Sequence, residues 1–154
     1  SVVQTIPSLA LLCLLIPLFG IGIKPALVAL CLYSLLPVIQ NTLIGLQSIP
    51  SQLLETADAL GLSKGKRLMA VELPLASRSI LGGVRTAAII GIGTATLAAL
   101  IGAGGYGAPI ISGLATNNLS LILTGAIPCA VLSLAMFGVF ELATLVFVPK
   151  GLRL

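Results

Sequence analysis

The sequence predicts an all-α, polytopic membrane protein, and three observations carry that prediction. Of 154 residues, 58% are hydrophobic and only 8% charged, with a mean hydropathy of +1.20. Water-soluble domains carry roughly 25% charged residues, so a soluble fold of this size would lack the charge to cover its surface. The charge is also segregated. Residues 1–23 have none, Lys24 stands alone before an uncharged run at 25–54, and 86–140 is again uncharged. Finally, runs such as "LALLCLLIPLFGIGI" are continuously apolar, whereas the strands of a membrane barrel alternate apolar and polar residues.

A spanning helix needs about 20 mostly apolar residues. The first two uncharged runs each fit one crossing and the third fits two, which places spans at about 2–22, 26–46, 84–101 and 119–148. Pro17, Pro37 and Pro128 fall inside spans and are expected to kink or break them. Cys13, Cys31 and Cys129 also lie in apolar runs, where they read as small hydrophobes filling space. Without a CxxC or any His, the chain has almost no ligand set for a metal. It opens at Ser1 nearly inside an apolar run and lacks the basic stretch and cleavage site of a signal peptide. The expectation is that one or more spans precede it.

Residues 55–85 break the pattern, holding eight of the twelve charged residues. "IPSQLLETADALG" reads as a short helix starting near Pro50 and Ser51, with Gly61 suited to the left-handed position past its end. "LSKGKRLMAVELP" reads as a second short helix with Ser63 as its N-cap, limited by Pro74. The expected product is a helix–turn–helix elbow over about 50–76, with carboxylates on its first arm and cations on its second. Lys and Arg favour the cytoplasmic side of a membrane. A cytoplasmic elbow puts Lys64, Lys66, Arg67, Arg78, Arg85, Lys150 and Arg153 inside and only Lys24 outside. The net charge of +4 reflects this bias and gives no support to nucleic-acid binding.

The elbow also carries a spaced pattern. Glu55-Thr56-Ala57, three residues, Gly61, nine residues, then Val71-Glu72-Leu73-Pro74 stand in order. This resembles the "EAA" motif of permeases of ATP-binding-cassette importers, which reads Glu-Ala-Ala, three residues, Gly, nine residues, Ile-x-Leu-Pro. Thr56 in place of Ala and Val71 in place of Ile are mild departures. "VVQTIPSLALLCLLIPLFGIG" before the elbow and "GVRTAAIIGIGTATLAALIGAGGYGAPIISGL" after it extend the resemblance over nearly the whole chain. They are similar to the permeases that take up osmoprotectants: glycine betaine, choline and carnitine-type quaternary amines. Relatives serve other trimethylated solutes, ergothioneine among them.

The resemblance implies a type I importer transmembrane domain in the bacterial cytoplasmic membrane, with elbow and C-terminus cytoplasmic. It implies that the elbow is a coupling helix docking on a separate ATPase. Glu55, Thr56, Ala57, Asp58, Gly61, Val71, Leu73 and Pro74 are then the coupling residues. Glu55 and Asp58 could meet basic groups of the partner, Ala57 would permit close approach and Gly61 the bend, while Leu73 and Pro74 would re-anchor the second arm. The implied partners are two ATPase subunits, a second permease subunit (the same chain or another) and an extracytoplasmic binding protein or fused domain. ATP and Mg belong to the ATPase: this chain has no G-x-x-x-x-G-K-[ST] loop and is expected to be no enzyme and to bind no cofactor.

"GAGGYG" at 102–107 formally satisfies G-x-G-x-x-G, but a dinucleotide site needs a preceding strand and an acid about 20 residues on. Here a span precedes, and the next acid is Glu141. Irregular backbone at membrane depth must be buried in protein or line a water-filled cavity. Gly102, Gly104, Gly105, Tyr106 and Gly107 are therefore candidates for a translocation path or outer gate, against tight packing as the alternative; Thr94, like Thr96, either hydrogen-bonds locally or lines that path. Gly91, Ala95, Ala99 and Ala103 recur every four residues, a spacing that lets membrane helices approach closely, within the chain or between subunits. Glu141 is the one acid in an apolar span and reads as interfacial or partner-contacting. Aromatic residues make up 4% of the chain, with no Trp, so neither an aromatic belt nor an aromatic cage for a quaternary cation is visible. Three readings compete with this one: an importer permease for another small solute such as an amino acid, a secondary transporter or channel, and a structural anchor. A self-sufficient transporter would be expected to carry buried charges or paired broken helices. An anchor would not need so many Gly and Pro residues inside its spans.

Overall fold

A computed structural model describes residues 7–147, with side chains described over 7–144. The chain runs as α1 (Ser8–Phe19), α2 (Ile23–Gln47), α3 (Ser51–Ala59), α4 (Lys64–Arg67), a π-helical segment (Leu68–Glu72), α5 (Leu73–Leu97), a 3₁₀ turn (Ala98–Ile101), α6 (Gly107–Ala115) and α7 (Leu119–Phe147). The described residues contain no strand. Three stretches are long and apolar enough to cross a membrane: Ile23–Gln47, Lys64–Ile101 and Leu119–Thr144. The fourth expected span is represented by the 12 residues of α1, its beginning lying outside the described residues. Lys150 and Arg153 also lie outside them.

The faces of these helices are inverted relative to a soluble bundle. Large side chains such as Leu27, Leu35, Ile39, Leu134 and Leu142 point outward, each more than half exposed. Cys13 and Cys31 are exposed as well, so they coat the outside instead of filling the interior. Lipid is as apolar as a protein core, so burial of hydrocarbon does not pull the helices together; packing of small residues does. The α2–α5 seam shows this. The two helices run antiparallel, and a Cβ on Gly45 would lie 2.7 Å from the Ser79 Cβ and 3.3 Å from that of Ala76. A Cβ on Gly83 would lie 2.8 Å from that of Asn41 and 2.9 Å from the Pro37 carbonyl oxygen. Ala76, Gly83, Ala87 and Thr94 form the buried stripe of α5. The expected stripe at Gly91, Ala95, Ala99 and Ala103 is not this seam. Gly91 faces open space, Ala95 is exposed, and the 3₁₀ turn after Leu97 breaks the four-residue register.

At the far end from the elbow, α1, α2 and the 3₁₀ turn close around Leu11, Leu12, Leu15, Ala26, Ala29, Tyr33, Ala98 and Ile101. Pro17, Pro37 and Pro128 all sit inside helices that continue past them, so none breaks its span. Pro74 also fails to end the second arm. α4, the π segment, α5 and the 3₁₀ turn form one run of 38 residues from Lys64 to Ile101, about 57 Å at 1.5 Å per residue. That exceeds the ~30 Å hydrocarbon core, and the first turns, carrying Lys64, Lys66 and Arg67, stand outside it. The helix passes Pro74 because the hydrogen-bond register shifts first. The Leu73 N–H donates to the Leu68 carbonyl, five residues back. Pro74 then occupies the first turn of α5, where a residue without an N–H is tolerated.

Candidate functional site

The elbow is built from its first arm upward. α3 starts behind Pro50 and ends in a Schellman cap, with the Gly61 N–H donating to the Asp58 carbonyl at 3.0 Å and the Leu62 N–H to the Ala57 carbonyl at 3.2 Å. This pattern needs a left-handed residue, and Gly61 has φ +75°. Ser63 occupies the N-cap position of α4 but makes no side-chain cap; its carbonyl instead accepts from the Arg67 N–H at 2.8 Å. Ala57 is the one buried residue of α3, while Glu55, Thr56 and Asp58 are exposed. The Thr56 hydroxyl donates back to the Gln52 carbonyl at 2.7 Å.

Between the two arms runs an apolar groove of about 430 Å³. Leu53, Thr56, Ala57, Leu60 and Leu62 line it from one side, Ala70, Val71, Pro74 and Leu75 from the other. It therefore brings together Thr56, Ala57, Val71 and Pro74 of the motif. Glu55, Asp58, Gly61 and Leu73 stand outside its lining; Leu73 is exposed and borders the shift from π to α geometry.

The carboxylates of the first arm and the cations of the second fall on α3 and α4 as expected, and Arg67 joins the two arms. Arg67 Nη1 donates to both oxygens of Asp58 at 2.8 and 2.7 Å, while its Nε donates to Glu72 Oε1 at 2.8 Å. These bonds, first to Asp58 and then to Glu72, hold the Arg67 guanidinium above its ordinary pKa. Asp58 is thus engaged within the chain, with its side chain still 54% exposed. Glu55 makes no ion pair among the described residues and is left as the outward acid of α3. Arg67 and Glu72 were not candidates from the sequence. Their spacing of five is not an α-helical contact, and only the π segment makes it one.

The opposite end holds the glycine loop. Gly102, Gly104 and Gly105 have φ near +75°, which lets the chain turn sharply from the 3₁₀ segment into α6. Gly102, Gly104, Gly105 and Tyr106 are exposed, while Gly107 is buried against the Thr96 carbonyl. Thr94 is the one buried polar residue among those described, at 6% exposure. Two small apolar cavities flank the loop. One of about 200 Å³ includes Thr96, Tyr106, Gly107 and Cys129, and one of about 210 Å³ includes Ala26, Ala95, Gly104 and Gly105. The structure thus places Gly104–Gly107 around two hollows and keeps Thr94 inside the α5 packing face. α6, which pairs with the first turns of α7, had no counterpart in the sequence reading. "APIISGLA" is too short for a span and carries no charge to mark it.

Glu141 is engaged too. Arg85 Nη1 donates to Glu141 Oε2 at 2.9 Å, and its guanidinium carbon lies 4.7 Å from the centroid of the Phe137 ring. The pair ties α5 to α7 across 56 residues of sequence.

Comparison with known proteins agrees with this architecture. The family described as binding-protein-dependent transport system inner membrane component matches residues 1–151. The choline transport system permease protein OpuBB of Bacillus subtilis (strain 168) is 40% identical over 153 residues, covering 99% of this chain and 70% of that protein. The osmoprotectant import permease protein OsmW of Salmonella typhimurium is 39% identical over 158 residues, covering 99% and 74%. The choline transport system permease protein OpuBD of Bacillus subtilis (strain 168) is 46% identical over 134 residues, covering 86% and 58%. An all-helical chain whose apolar outer faces suit lipid, matched to one family from residue 1 to residue 151, belongs to the binding-protein-dependent transport system inner membrane components.

Proposed function

We propose that this chain is the membrane-spanning permease subunit of an ATP-driven importer for a betaine-like quaternary amine, such as glycine betaine, carnitine, choline or ergothioneine. The observation that carries the reading is the Gly61-capped elbow at one end of an apolar bundle, with an open apolar groove between its arms. The names of the relatives support the solute class.

In this reading the elbow and the C-terminus face the cytoplasm, as the Lys and Arg distribution favours. Two ATPase subunits dock on the elbows of two permease subunits, and ATP and Mg act on those ATPases while this chain catalyses nothing. Closure of the ATPases moves the elbows as rigid levers and rocks the spans between outward and inward access. A binding protein, separate or fused, delivers the solute. Thr94, Gly102, Gly104, Gly105, Tyr106 and Gly107 remain the candidates for the path or outer gate. Among them the exposed loop residues are the ones a solute could touch.

The test is reconstitution in proteoliposomes with the cognate ATPase and binding protein. ATP-dependent accumulation of labelled glycine betaine, carnitine or choline is expected. Uptake of an amino acid that no quaternary amine competes with would move the chain to another solute class. Accumulation driven by an ion gradient without ATP would make it a secondary transporter.

A further inference from the structure

We propose that Arg67 is a positioning residue that stiffens the elbow, so that displacement of α3 is passed on to α5; this rests on the reading of the elbow as the ATPase dock. Little else holds α3 in place. It is nine residues long, below the length at which an isolated helix is stable in water. Ala57 alone is buried, and the groove beside it is open. The cap at Gly61 sets the direction of the turn, and residues 60–63 are the short covalent link between the arms.

Arg67 bridges that link. One planar guanidinium grips both oxygens of Asp58 on the first arm and Glu72 on the second. Its fork geometry holds an angle as well as a distance, which a lysine ammonium cannot do. The Glu72 contact depends on the helix type. In an α-helix, residues five apart point about 140° away from each other at ~3.6 residues per turn. In the i→i+5 repeat of a π-helix they stack one above the other. The π segment Leu68–Glu72 lies between Arg67 and Pro74, and the register returns to α where Pro74 has no N–H to donate. The proline of the motif, the π turn, Glu72, Arg67 and Asp58 thus form one mechanical chain from membrane helix to docking arm. Side-chain exposure falls from 54% at Asp58 to 24% at Arg67 and 17% at Glu72, so the inner half of the clamp is the more shielded from solvent. Isolated exposed ion pairs hold little, but this guanidinium is shared: Nη1 is committed to Asp58 and Nε to Glu72, so two of its nitrogens fix its plane between the two arms.

The experiment measures solute moved per ATP hydrolysed in proteoliposomes containing the complete transporter. Each variant also carries Leu60→Cys, with Cys13→Ala, Cys31→Ala and Cys129→Ala, so that a bifunctional reagent at the exposed Leu60 position reports contact with the ATPase. Arg67→Gln is expected to keep the cross-link and to hydrolyse ATP within twofold of the parent. Solute moved per ATP should fall at least fivefold. Arg67→Lys should recover part of that ratio, and Glu72→Gln should lower it without abolishing the cross-link. An unchanged ratio in cross-linked Arg67→Gln would overturn the proposal and leave the dock intact. Loss of cross-link and ATP hydrolysis together in Arg67→Gln would also overturn it, making Arg67 a docking contact. Absence of the cross-link in the parent itself would instead remove the reading of the elbow as the dock.

Discussion

Gly61→Asp is expected to abolish ATP-dependent uptake, by more than tenfold, while the protein still inserts in the membrane at parental levels. A Cβ at Gly61 meets nothing within 4 Å, so a side chain can leave the backbone there without a clash at its first atom. Two effects remain. The residue must hold φ +75°, which costs an L-residue about 1–2 kcal/mol. It also sets a new carboxylate three residues from Asp58, which already shares its guanidinium with Glu72. Neither effect reaches the spans, whose packing lies along Gly45, Ala76, Gly83 and Ala87. Insertion therefore survives while the bend that presents α3 is lost. Gly61→Ala, which adds the strain without the charge, should fall between Gly61→Asp and the parent. The check is uptake in vesicles with permease quantified by immunoblot; full uptake by Gly61→Asp would show that the elbow does not couple to the ATPase.

Gly107→Ala should damage the fold itself. A methyl there would be driven into the Thr96 carbonyl oxygen, and would lie 2.8 Å from the Thr96 carbonyl carbon and 2.9 Å from the Ala99 Cβ. These are mostly backbone atoms of the last turns of α5 and cannot rotate aside, so α6 must shift as a unit. α6 in turn packs on α7, where the Tyr106 carbonyl already abuts the position a Gly125 side chain would take. Overpacking of this kind costs about 1–3 kcal/mol and occasionally more, and the backbone contact puts Gly107→Ala at or above ~3 kcal/mol on that scale. Gly104→Ala is the control. It is exposed with open space around it and bears only the left-handed strain, about 1–2 kcal/mol. Thermal unfolding in detergent should show a much lower midpoint for Gly107→Ala than for Gly104→Ala. Equal midpoints would mean that the loop yields where the structure shows it wedged.

The helical membrane architecture was legible in the order of residues because lipid imposes one rule on every span, a long run without charge. The turn at Gly61 was equally legible, since a glycine after "QLLETADAL" has a local reason to adopt positive φ. What lay beyond reading were contacts between residues that share no local signal. Nothing in "LSKGKRLMAVELP" announces that Pro74 would be preceded by a π turn and the helix continue, because Pro lacks an N–H in any register and is tolerated here only by falling in the first turn of α5, after Leu73 has closed the i→i+5 bond. That shift alone stacks Glu72 on Arg67, and the fold of the elbow then brings Asp58 to the same guanidinium. The close seam at Gly45 and Gly83 was likewise hidden behind a more regular stripe at Gly91–Ala103. Spacing says which small residues could meet a neighbour, but the place where two helices cross depends on the turns at both ends, and those lie elsewhere in the chain.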